Sequence, residues 1–150
     1  MSLDTWLSNG WLVRHDASLQ EIVDLLRAAR RDLADAQQDI SASWRFAIAY
    51  NAGLRLCTAA LHAAGYRAAR EQKHYRTVAA LPLLLGAEAQ ELSDFLDRCR
   101  TKRHEVTYES LSAVTESEAE ALIEAVGELD RKVCDWVRSK FPELPHDWPS

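Results

Sequence analysis

The chain is 150 residues long, carries a formal net charge of −5, and is 47% hydrophobic and 27% charged. That length builds one domain with a real core, and the balance of apolar and charged side chains excludes a disordered or fibrous chain. No apolar run reaches the roughly 20 residues that span a bilayer, and the acidic balance excludes a general nucleic-acid coat, so any contact with a polyanion must be local.

The first element is an N-terminal arm over 1–17. It lacks the basic leader, apolar run and cleavage site of a secretory signal, so a cytoplasmic location is expected. Trp6 and Trp11 flank the turn signal Asn9-Gly10 and are expected to anchor the arm to the rest of the domain. The helical region, 18–140, opens at Ser18-Leu-Gln-Glu21, a capping box. Ile22, Leu25, Leu26, Ala29 and Leu33 then hold one face, and Arg27, Arg30, Arg31 and Asp35 the opposite one, which reads as solvated.

A second helix is expected from Ser41 or Ser43 through Phe46, Leu54, Cys57 and Leu61 to Gly65. It is apolar on most sides and so should be central, with Tyr50 and Asn51 as its polar exceptions. A basic loop over 66–72 brings Arg67, Arg70 and then Lys73, before a short helix that turns Val78, Leu81 and Leu84 inward. Pro82 should lie near its end or kink it. Gly86 breaks the chain, and a fourth helix from about Ala87 uses Leu92, Phe95, Leu96 and Cys99. After a turn over 110–115, Thr115-Glu-Ser-Glu118 is a second capping box; it opens a long helix carrying Leu122, Val126, Leu129, Val133 and Val137 inward. The tail, 141–150, is extended by its prolines, with Phe141, Leu144 or Trp148 tucked against the bundle. No segment reads as a strand. The expected fold is an all-α, up-and-down bundle of four to five helices in a single domain. Cys57, Cys99 and Cys134, odd in number and set in apolar pattern, read as reduced, buried thiols.

The densest chemistry lies in Arg98-Cys-Arg-Thr-Lys-Arg-His-Glu-Val-Thr-Tyr108. On one helix, at about 100° per residue, the stripe Leu92, Leu96, Cys99 continues to Arg103, a charge where an apolar side chain is expected. Burying that charge alone costs several kcal/mol, so Arg103 needs a partner or a wet cleft. Asp35 and Asn51 are the candidate internal partners. Arg100, His104 and Tyr108 are spaced by four and share an adjacent face, which aligns a cation, a titratable ring and a hydroxyl. The competing reading is a basic last turn that only complements the helix dipole.

This arrangement resembles the HEPN superfamily, compact helical domains with a functional motif late in a late helix. Arg103-His104-Glu-Val-Thr-Tyr108 matches the family form of an arginine, a polar residue, three further residues and then a histidine or tyrosine; Arg98 and His104 match its looser arginine-to-histidine form. The alanine-rich helix beginning at Arg45 and the placement of His74 before Val78 and Leu81 resemble further family features. The resemblance implies a homodimer with two motifs facing across a cleft, and no cofactor or metal. Active members are metal-independent ribonucleases, many of them toxins or defence effectors with an antitoxin-like partner protein. In them the histidine moves a proton and the arginine holds the scissile phosphate. Carried over, the catalytic candidates are Arg98, Arg103, His104 and Tyr108, supported by Asp35, Asn51 and Arg100. Arg98 and His104 diverge by about 120° on a straight helix, so their convergence needs a helix break or two subunits. Two alternatives stay open: a non-catalytic module binding nucleotide, RNA or protein through the same residues, and a plain helical interaction protein.

Other constellations carry less. Glu71-Gln-Lys-His74 has the spacing of a di-iron bundle ligand pair but no second copy. The five histidines are scattered singly, which gives a zinc site weak support, and His62 reads as a packed or surface side chain.

Overall fold

A computed structural model describes residues 2–108 and 114–144, with the side chains of 105–108 outside that description. In chain order it contains α1 (Leu3–Ser8), β1 (Leu12–Arg14), α2 (Leu19–Ala36), α3 (Ala42–Ala63), β2 (Tyr66–Ala68), α4 (Lys73–Ala79), α5 (Leu81–Leu85), a 3-10 turn (Ala87–Ala89), α6 (Gln90–Tyr108) and α7 (Glu116–Lys140). The all-α bundle is therefore as expected.

The helix starts follow from capping chemistry. The Ser18 hydroxyl accepts from the Glu21 N–H, and Ser41, not Ser43, caps α3 by accepting from the Trp44 N–H. At α7 both halves of the box form: the Thr115 hydroxyl accepts from the Glu118 N–H, and the Glu118 carboxylate accepts from the Thr115 N–H. Pro82 occupies the first turn of α5, where its missing N–H costs nothing, and so divides the expected short helix into α4 and α5.

The core forms around α3, which packs against α2, α4, α5, α6 and α7. Phe46, Tyr50, Leu56 and Cys57 from α3 meet Ile22 and Leu26 from α2, Leu96 from α6, and Leu122, Val126, Leu129 and Val133 from α7. Gly53 permits a close approach of helices: a Cβ there would lie 3.3 Å from Val126 Cγ2 and 3.4 Å from Leu96 Cδ2. Charged clamps tie the outer helices down. Arg45 donates to the Ala36 carbonyl at 2.8 Å and reaches Glu116 at 3.0 Å and Glu120 at 2.6 Å. Arg30, expected on a solvated face, instead pairs at 2.8 Å with Asp130, which is only 8% exposed.

One expectation is overturned. β1 and β2 pair antiparallel, with Leu12 opposite Ala68, Val13 opposite Arg67 and Arg14 opposite Tyr66. Three residues are too few for an alternating pattern to register, and the pairing depends on partners far apart in sequence. The strands seat the arm on a second small core of Trp6, Leu12, Leu61, Ala68 and Ala80. The tryptophans anchor the arm as expected: Trp6 is buried, and the Arg76 guanidinium stacks 3.8 Å from the Trp11 ring centroid. In the tail, Leu144 is buried and Phe141 half-buried; Trp148 and the turn over 110–113 lie outside the described residues. No described helix is long and apolar enough to cross a membrane.

Candidate functional site: a basic cleft between α4 and α6

α6 runs unbroken from Gln90 to Tyr108, so its side chains project by simple helical geometry. Arg98 and Lys102, about 40° apart, fall on the flank toward α7. Lys102 pairs with Glu118 at 2.9 Å, and Arg98 lies exposed with its guanidinium 5.8 Å from the Phe95 ring centroid. These two cations line a recess of about 280 Å³ with Phe46, Cys99 and Glu118. Arg100 and Arg103 point the other way. The basic knot of the sequence is thus divided between two sides of one helix.

Arg103 is half-buried, with its guanidinium 5.6 Å from the ring centroid of Tyr50. Its Nε is buried and has no hydrogen-bond partner among the described residues. Tyr50 is 2% exposed and its hydroxyl likewise has no partner. Burial pushes the Tyr50 phenol far above its ordinary range, so it stays a neutral donor. Of the expected partners of Arg103, Asp35 is exposed in the last turn of α2 and Asn51 is half-buried in α3; the ring recorded beside Arg103 is that of Tyr50, next to Asn51.

Arg100 is held by Asp97, Nε to Oδ1 at 2.9 Å, and its guanidinium sits 5.5 Å from the Tyr75 ring centroid. Tyr75 belongs to α4, and here α4 meets α6. An open cleft of about 750 Å³ lies between them, lined by Arg70, Gln72, Lys73, His74, Tyr75 and Arg100. Gln72 begins α4 with φ of 54°, a left-handed conformation unusual for a residue with a Cβ. That turn directs Lys73 and His74 toward α6. The His74 imidazole is held below its ordinary pKa by partial desolvation and by repulsion from Lys73, Arg103 and Arg100. The Tyr75 ring and four cationic or titratable groups, Arg70, Lys73, His74 and Arg100, therefore share this cleft. His104 is exposed one turn beyond Arg100 on the same face, and for Tyr108 only the helical backbone is described.

Sequence reasoning noted Arg70, Lys73 and His74 but did not join them to α6. Their approach is a tertiary contact; the signal available was the recurrence of cations on both sides of the α4–α5 segment. It also missed a second gathering. His15, Glu21 and His62, apart in sequence, come together where the β1–α2 link crosses the end of α3. The three cysteines are free and buried as expected. Burial pushes Cys57 and Cys99 up to about 12 and Cys134 up to about 11, so all three remain inert thiols.

The fold is a helical bundle with a cationic cleft where α4 meets α6. The chain belongs to the HEPN family: the family model described as HEPN domain matches residues 22–139. No curated protein and no solved structure matches the chain significantly.

Proposed function

We propose that the protein binds RNA through the α4–α6 cleft and, as a homodimer, cleaves it without a metal ion. The observation that carries this reading is the convergence of Arg70, Lys73, His74 and Arg100 on one open cleft in an otherwise acidic protein. Guanidinium and ammonium groups neutralise phosphates, and Tyr75 offers a ring on which an unpaired base stacks. A single-stranded polyanion satisfies both features, whereas a small nucleotide would use only part of so open a groove.

In the cleavage step His104 accepts the proton of a ribose 2′-hydroxyl, whose oxygen attacks the adjacent phosphorus. The 5′-oxygen leaves with a proton returned by an acid, and a 2′,3′-cyclic phosphate remains. Arg103 and Arg100 stabilise the charge on the phosphoryl oxygens. Arg98 and Tyr108, catalytic candidates from the sequence, take lesser places here, and Arg100 a larger one: on a continuous α6, Arg98 would reach a phosphate held by His104 only from a second copy. In this reading the chain acts as a toxin-like or defence ribonuclease, restrained by an antitoxin-like partner.

A second reading, binding without cleavage, is favoured by Tyr108 at the motif position where the most active family members carry histidine. A phenol ordinarily titrates near about 10 and is a weak base at neutral pH. The test is incubation of the purified protein with mixed RNA in chelator, beside His104→Ala. Cyclic-phosphate ends lost in the variant support cleavage. Salt-sensitive binding without new ends supports the second reading. A strictly monomeric protein that neither binds nor cleaves RNA would leave a plain helical interaction protein.

A further inference from the structure

We propose that His15, Glu21 and His62 form a binding site for a divalent transition-metal ion, zinc being the best fit, with solvent completing the coordination. This site is separate from the RNA reading and does not depend on it.

The facing atoms of the three side chains all lie within 4.8 Å of one another. His15 Nε2 is 2.7 Å from Glu21 Oε1, and His62 Nδ1 is 3.5 Å from the same oxygen. The two imidazole rings stand 4.4 Å apart at 43°. Zinc bonds of about 2.0–2.2 Å in a tetrahedron place ligand atoms about 3.4 Å apart. His62 already meets that spacing to Glu21; His15 must draw back by about 0.7 Å, which a side chain 27% exposed on a linker can do.

The alternative role, a hydrogen-bonded pin, leaves an atom unexplained. His62 Nδ1 is buried, aimed into the cluster, and makes no hydrogen bond at 3.5 Å. A metal would use that lone pair. The neighbourhood fits as well: the Ser18 hydroxyl accepts from the Glu21 N–H at 3.1 Å, which fixes the backbone that carries the carboxylate ligand. Two ring nitrogens with a single carboxylate suit a borderline cation over a hard one that needs a ring of carboxylates.

The test uses the full chain without a histidine tag, stripped of metal and then titrated with cobalt(II) followed by zinc. One equivalent per chain should bind saturably, giving visible cobalt bands that zinc abolishes and no sulfur-to-cobalt charge transfer. His62→Ala and Glu21→Gln should each weaken binding by more than the roughly 10–100-fold that loss of an outer partner costs. His15→Gln, at a half-exposed linker position, should do the same and keeps the question answerable if the helix variants unfold. Absence of saturable uptake, uptake unchanged by His15→Gln, or a sulfur charge-transfer band would each overturn the site.

Discussion

Two regions of this molecule treat density in opposite ways. In α6 four cations and a histidine crowd into seven consecutive residues, 98–104, yet the helix divides them between the α7 flank and the α4 cleft. Around Glu21 the reverse holds: two histidines, one six residues before it and the other on α3, meet one carboxylate. Crowding along a chain is therefore a poor guide to convergence in space, because a helix rotates each successive side chain by about 100°. What matters is which face a neighbouring element completes.

The harshest way to break the comparison is to remove the floor on which the inward cations rest. Tyr50→Ala should cost about 3–5 kcal/mol of stability in denaturant unfolding and release Arg103. If the fold loses under about 1 kcal/mol, the ring is not the support described. Next, Arg100→Ala and Arg103→Ala should each lower RNA affinity about tenfold or more by fluorescence anisotropy, whereas Arg98→Ala should stay within about twofold. An equal loss for Arg98→Ala would bring that residue into the site from a second copy.

A subtler change comes from pH. The free cleft lowers the His74 pKa, and a bound phosphate favours imidazolium, so the complex raises it. RNA binding should therefore tighten as pH falls between those two values, and His74→Ala should flatten the profile. Without RNA the sign is opposite for folding. The contribution of His74 to stability is full above the ordinary imidazole pKa and is lost as pH falls through the lowered folded value. The smallest effect is expected at the outer flank: Glu118→Gln frees Lys102 but should change stability by no more than about 1 kcal/mol, and RNA affinity hardly at all.

The comparison also marks what was legible. The caps at Ser18, Ser41 and Thr115 and the apolar faces of α2, α3 and α7 could be read because helix signals are local and periodic. Arg103 stood out as a charge on a buried stripe, and the structure gives it the Tyr50 ring, a polar exception already visible on α3. The strand pair could not be read, since Leu12 and Ala68 know each other only through the fold. The α4 wall of the cleft depends on a left-handed Gln72 that no local pattern announces, glycine or asparagine being the usual sign. The His15–Glu21–His62 cluster hid for the same reason, and Glu21 was already accounted for as half of a capping box.

The missing side chain at Gly53 has a mechanical consequence. With Val126 of α7 and Leu96 of α6 this close to the α3 backbone, even one added methyl group at position 53 would press on both helices at once. The wall that carries Arg100 therefore takes its position from the same absence of a side chain that lets the core close.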